Sequence, residues 1–433
     1  MLTLCLATVA ILGLYMAWTI GANDVANSMG GAVGSKAISV RNALILASIC
    51  EFSGSVLVGS HVTDTVRKGI VSPECMSGTP ELLAIGMACA LLGAAVWLHL
   101  ATWWGMPVST THSIVGAVAG FGIVAAGWGA VKWGAMGEIV ASWFISPVAG
   151  IILGWIGFKL IARLILGREK PAVAAIRYWP WIVFVVILVV TVSTLCDKAL
   201  RDRVPSISSW FTGWTALVVS VSISGLTALI CAVFIRRHLS CRNNLPLAEQ
   251  LDCVERVFSP LVVLTGCSVA FAHGANDVAN AVGPLAAVFD IIRSGTVQMR
   301  VMVPMWILVL GGIGIVLGLA TFGARVMATI GGKITQLTPS RAVAANIAAA
   351  TTVLVCSRMK LPISTTHILV GAVFGVGLAR GLDTVNRNVA KNIFGSWVLS
   401  VPAAAILSIL FFIACRVFHL DLLLKSAMAA AHP

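Results

Sequence analysis

The chain has 433 residues, of which 59% are hydrophobic and only 10% charged, with a net charge of +13. An ordinary soluble domain carries about 25% charged residues, so a chain this apolar cannot cover its own surface with polar groups and takes a lipid bilayer as its solvent. The Lys and Arg residues lie in short loops between apolar runs, as in loops retained in the cytoplasm, which argues against a nucleic-acid partner.

About twelve hydrophobic segments are expected along the chain. The first, residues 2–20, lacks a basic leader and a small-residue cleavage site, so it reads as a spanning helix rather than a removed signal peptide. Segments at 41–60, 82–102, 108–127 and 137–166 follow, then two at 179–196 and 211–235. The last five lie at 257–273, 301–323, 341–357, 363–379 and 392–417. Segments 108–127 and 363–379 either span or belong to re-entrant hairpins. The expected fold is an all-α, multi-pass integral membrane protein.

Two basic loops set the orientation. One holds Lys159, Arg163, Arg168, Lys170 and Arg177; the other holds Arg236, Arg237, Arg242 and Arg256. Two crossings separate them, so both are cytoplasmic and both termini fall outside, in the plasma (inner) membrane. Arg67 and Lys68 then fall outside, against the rule, where nearby Asp64 draws them toward the membrane region. The eleven Cys show no CxxC pair. Cys5, Cys50, Cys89, Cys267 and Cys415 sit inside apolar runs and read as small hydrophobic fillers.

One pair of motifs occurs twice. Gly21-Ala22-Asn23-Asp24-Val25-Ala26-Asn27 returns as Gly274-Ala275-Asn276-Asp277-Val278-Ala279-Asn280. Pro107-Val108-Ser109-Thr110-Thr111-His112 returns as Pro362-Ile363-Ser364-Thr365-Thr366-His367. The offsets are 274 − 21 = 253 and 362 − 107 = 255, so the half-chains are duplicates. Seven crossings separate the copies, which predicts two inverted repeats with interrupted helices meeting near the midplane, a common plan of secondary transporters. The expected units are a first repeat over residues 1–166, a connector with two spans over 167–250 and a second repeat over 251–433.

The Asn-Asp motif follows an apolar helix directly. Asn and Asp favour helix ends, and Gly permits a break, so an interruption is expected there. An Asp inside a membrane is costly unless a cation or hydrogen bonds compensate it. Asn23, Asp24, Asn27, Asn276, Asp277 and Asn280 therefore suit a small hard cation beside a polar solute. Glu51 is another costly membrane carboxylate, suited to coordinating a cation or carrying a proton, or to pairing with a basic neighbour.

In the second motif, Pro and Ser/Thr mark a helix start. Free amides and the positive dipole end make such a start an anion site. Ser109, Thr110, Thr111, Ser364, Thr365 and Thr366 add neutral donors, so two helix starts suit one tetrahedral oxyanion held from both sides. His112 and His367 either relay protons, hydrogen-bond the hydroxyl run or bridge helices. No Walker A motif, zinc motif or nucleophile–base set appears, and no cofactor is expected.

At these residues the chain resembles the PiT family of inorganic phosphate transporters, through both GANDVAN stretches and the PVSTTH and PISTTH stretches. The resemblance takes in Glu51 and Val62-Thr63-Asp64-Thr65-Val66-Arg67-Lys68-Gly69. It implies cation-coupled uptake of inorganic phosphate by a homodimer, not an enzyme. It implies that Asp24, Asn27, Asp277 and Asn280 line the phosphate and cation sites, with the hydroxyls of both Ser-Thr-Thr runs on the phosphate. Family members divide between sodium and proton coupling; some proton-coupled members carry a metal–phosphate complex and a few relatives carry sulfate. Sodium-coupled animal members usually have a second membrane Glu where this chain has Asn346. The paired Asp-Asn sites favour sodium over proton, and the remaining alternatives are sulfate or metal-phosphate symport, or an anion channel.

Overall fold

The computed structural model describes residues 2–59, 69–195, 213–239, 245–297, 303–333, 337–359, 363–381 and 387–431. Asp64, Arg67, Lys68, Arg242 and Pro362 lie outside the described residues, as does most of the Val62 to Gly69 stretch.

The described residues are helical almost throughout. In chain order the helices are α1 (Leu2–Gly34), α2 (Val40–Val58), α3 (Pro80–Trp103), α4 (Thr110–Ala126) and α5 (Trp133–Ile161). The last turn of α5 continues as a π-wound segment, Ala162–Leu166. Next come α6 (Pro171–Leu195), α7 (Gly213–Leu239), α8 (Leu247–Ser294), α9 (Met305–Lys333) and α10 (Pro339–Arg358). The chain ends with α11 (Thr365–Arg380), α12 (Arg387–Val417) and α13 (Leu420–Ala431). Ten of these are long and apolar enough to cross a membrane, while α4 and α11 are apolar but shorter. At 17 and 16 residues they reach about 25 Å, less than the ~30 Å hydrocarbon core.

Local signals account for the helix ends. Pro80 and Pro339 occupy first turns, where a missing N–H costs nothing. Ser39, Ser109 and Ser364 cap α2, α4 and α11 through their side chains. Gly295, at φ 70°, closes the 48-residue α8 in the left-handed conformation. Large apolar side chains such as Phe144, Ile152, Leu226, Leu229 and Phe234 are exposed along α5 and α7, as expected of lipid-facing surfaces.

The two halves interlock. α1 runs antiparallel to α8: Gly13 abuts Leu285, Asp24 faces His273, and Gly266 abuts Ser28 and Met29. α1 also lies along α9, and α2 lies along α8. α4 packs on α12 and α11 on α5, with Gly116 against Val401 matched by Gly371 against Pro147. The α3–α12 contact is likewise matched by α10–α5. Each half therefore supplies the surface on which the other half's short helix rests. The close approaches use glycine, as membrane helix interfaces do.

The expected break at the Asn-Asp motif is absent: Gly21 to Asn27 lie within continuous α1 and Gly274 to Asn280 within continuous α8. The glycines serve packing instead. A Cβ on Gly21 would fall 1.9 Å from the Ile315 carbonyl oxygen, and one on Gly274 would fall 2.2 Å from that of Glu51. The amide side chains find partners on facing elements, so the backbone keeps its own ladder.

Candidate functional site

Where α1 and α8 cross, two acidic side chains from opposite halves meet over one histidine. His273 Nε2 lies 2.9 Å from Asp277 Oδ2 and 3.7 Å from Asp24 Oδ2. His273 Nδ1 lies 3.2 Å from Glu51 Oε2. One ligand atom from each of Asp24, His273 and Asp277 lies within 4.8 Å of the other two. All four residues are 0% exposed. Asp24 Oδ2, Asn27 Oδ1 and Glu51 Oε2 are buried without a donor in hydrogen-bonding geometry. Buried oxygens are almost always satisfied, so these three stand out among the site's polar atoms.

The ends of α3 and α10 and the approaches to α4 and α11 close on this crossing. Thr102 ends α3 and accepts from Asn23 Nδ2 at 2.9 Å, while the Val108 amide ahead of α4 donates to Asn23 Oδ1 at 3.2 Å. Asn23 Nδ2 also donates to the Met106 carbonyl at 3.1 Å. In the other half Ser357 donates to Asn276 Oδ1 at 3.2 Å, and Asn276 Nδ2 donates to the Ile363 carbonyl at 3.4 Å. Each Asn thus bridges the end of one helix and the approach to the next. At the far end Ser72 N donates to the Ala130 carbonyl at 2.9 Å, so the approach to α3 and the exit from α4 meet on one face. α3 and α4 form a hairpin whose tip is at the site.

The threonines that begin α11 reach the acids, and those that begin α4 reach Asn280. Thr366 donates to Asp24 Oδ1 at 2.8 Å and accepts from Asn27 Nδ2 at 2.8 Å. Asn27 Nδ2 also reaches Asp24 Oδ1 at 2.9 Å. Thr365 donates to Asp277 Oδ2 at 2.7 Å, and Asn276 Nδ2 donates to Asp277 Oδ1 at 2.7 Å. Asn280 Nδ2 donates to Thr111 at 3.1 Å and to Thr110 at 3.4 Å. Ser109 and Ser364 accept from the His112 and His367 amides at 3.1 and 3.2 Å. The amides of Thr110, Thr111, Thr365 and Thr366 belong to first turns and have no intrahelical acceptor. None of these residues is more than 2% exposed except Thr365 and His112, each at 4%.

The two relay candidates lie in a different environment. His112 and His367 meet edge to face at 4.3 Å, His112 against Trp143 at 3.7 Å and His367 on Trp397 at 3.6 Å between ring centroids. Their ring nitrogens make no hydrogen bond to the hydroxyl run, so the expectation that they bond it is not met. They form a four-ring aromatic cluster between the halves. Sequence reasoning missed His273. The available signal was a His one helical turn before Asp277, where the first copy has Ile20.

With this geometry in place, the family model described as the phosphate transporter family matches residues 20–408. The chain belongs to the phosphate transporter family. A Thermococcus kodakarensis chain named as a phosphate permease is 44% identical over 93% of this chain and 95% of its own length. The chloroplastic inorganic phosphate transporter 2-1 of Arabidopsis thaliana is 40% identical over 93% of this chain and 70% of its own. A solved structure titled the sodium-dependent phosphate transporter superposes with TM-score 0.85 and 42% identity, covering 95% of this chain and 99% of that one. This phosphate transporter is thus a multi-pass membrane protein whose relatives are transporters and permeases rather than enzymes.

Proposed function

We propose that the protein is a sodium-coupled symporter of inorganic phosphate that works by alternating access between two inverted repeats, residues 1–166 and 251–433. The observation that carries this reading is charge. Asp24, Glu51 and Asp277 offer three buried carboxyls to the single imidazole of His273. A phosphate anion brought beside them is repelled unless cations enter too, because buried uncompensated charge is costly. Coupling is therefore an electrostatic requirement of the site.

Within this reading the amides and hydroxyls of Ser109, Thr110, Thr111, Ser364, Thr365 and Thr366 hold the phosphate, with Asn27 and Asn280 beside them. Asp24, Asp277 and Glu51 take the sodium ions, with Asn23 and Asn276 holding the turns in register. Oxygen ligands and unsatisfied carboxyl oxygens suit sodium. The antiparallel crossing of α1 and α8 supports the inverted relation, and α3–α4 and α10–α11 act as re-entrant hairpins.

Uptake of labelled phosphate into proteoliposomes tests it. Accumulation is expected under an inward sodium gradient at equal pH, and Asp24→Asn or Asp277→Asn abolishes it. Uptake driven by a proton gradient alone would replace sodium with proton coupling. Strong block by sulfate would move the substrate to sulfate. Flux that never concentrates phosphate would make the protein a channel.

A further inference from the structure

Away from the site, an apolar groove of about 350 Å³ opens on the lipid-facing side between α5, α6 and α10. Leu160, Leu164, Tyr178, Trp181, Ile347 and Thr351 are among its walls. It runs up to the π-wound turn Ala162–Leu166, and at that end residues 159–177 expose Lys159, Arg163, Arg168, Lys170 and Arg177 against one acid of that stretch, Glu169, while on the adjoining start of α8 Asp252 pairs with Arg256 and Glu255 accepts from Ser340. Among the described residues none of these five cations forms an ion pair with a carboxylate. Arg177 lies 5.6 Å from the ring centre of Tyr178, itself a wall of the groove, and Lys159 lies 6.0 Å from that of Trp155.

We propose that this groove binds one acyl chain of an anionic phospholipid, whose headgroup phosphate is held by Arg163, Arg177 and their neighbours. The argument is one of complementarity at both ends. A recess walled by apolar side chains within spanning helices is filled by a hydrocarbon chain. Unpaired cations where that recess reaches the interface attract a lipid phosphate, and basic pockets between membrane helices hold anionic headgroups in this way. The occupant touches the first half through α5, the connector through α6 and the second half through α10. It thereby ties the connector to both halves.

The test is native mass spectrometry of the purified full-length transporter with phosphatidylglycerol or phosphatidylcholine added in turn. Each cation near an anionic headgroup is worth about fivefold in affinity. Wild type should retain one phosphatidylglycerol at least tenfold better than phosphatidylcholine. Arg163→Gln combined with Arg177→Gln should bring the two lipids to near parity. Gly157→Leu should lose both lipids by filling the groove, because a Cβ there meets only Ala344, at 3.8 Å or more. Phosphate uptake by both variants confirms that they fold. Equal retention of the two lipids by wild type would overturn the proposal. So would a phosphatidylglycerol preference that survives in the Arg variant, a lipid adduct that survives in Gly157→Leu, or a protein dimer in place of a lipid adduct.

Discussion

His273 Nδ1 lies 3.2 Å from Glu51 Oε2, and neither residue has a polar counterpart in the other half. His273 precedes Gly274, whereas Ile20 precedes Gly21. Glu51 faces Gly274 across α2 and α8, whereas Ile315 faces Gly21 across α9 and α1. The pair is the point at which a duplicated site becomes asymmetric. Breaking a buried pair from one side costs about 3–5 kcal/mol, because it strands a charge. Glu51→Gln and His273→Gln should each lower stability by an amount of that order. The double variant should cost less than the sum, by about 1–3 kcal/mol. Thermal unfolding of the four proteins in detergent measures this cycle, and simple additivity would show that the contact is not energetically coupled.

Thr366 joins three elements: it donates to Asp24, accepts from Asn27 and points its hydroxyl toward the Val108 carbonyl at 3.4 Å. Thr366→Val keeps the shape and removes the hydroxyl. A hydrogen bond to a charged group is worth about 1.5–3 kcal/mol, so phosphate uptake at low substrate should fall roughly 10- to 100-fold. Thr366→Ser should stay within a few-fold of wild type. Initial rates over a range of phosphate and sodium concentrations check both, and wild-type kinetics in Thr366→Val would place the hydroxyl outside the transport cycle.

Much of the site was legible because carboxylates in apolar runs are expensive. Asp24, Asp277 and Glu51 stood out for that reason, and the duplicated motif said that two of them belong together. The direction of α1 against α8 followed from counting crossings. What the sequence hid was tertiary. The partners of His273 include Glu51, which is far away in the chain, and nothing local distinguishes this His from a structural one. The Asn-Asp stretches looked like helix breaks because local propensity disfavours them in a helix. Asn23 and Asn276 overrule it by bonding to Thr102 and Val108 and to Ser357 and Ile363, at the end of one helix and the approach to the next. The actual interruptions fall one motif later, where Ser109 and Ser364 begin helices inside the bundle.

If Gly21 and Gly274 serve close approach rather than bending, alanine should be intolerable at both. The added Cβ would lie 1.9 and 2.2 Å from rigid backbone oxygens. Overpacking typically costs about 1–3 kcal/mol, and contacts this short with backbone should exceed that range. Gly225→Ala is the control, since Gly225 lies within α7 with nothing within 4 Å of the added Cβ. It should be neutral or stabilising by up to about 1 kcal/mol. Folded yield and melting temperature in detergent separate the cases, and wild-type stability of both motif variants would return the glycines to a hinge role.

Cys75 reports the orientation. It is exposed, in the short turn Pro73–Met76 between α2 and α3. The other described cysteines are half-buried or buried, so a bulky charged maleimide reaches them less readily. If both termini lie outside, as the positive-inside rule predicts, α1 and α2 return the chain to the outer face and Cys75 faces out. In a background carrying Cys196→Ser and Cys241→Ser, a membrane-impermeant maleimide should label intact cells, and Cys75→Ser should remove the signal. Labelling that appears only after the membrane is opened would invert the topology and place the basic turn after α5 outside. The positive-inside distribution of Lys159, Arg163, Arg168, Lys170 and Arg177 predicts the opposite.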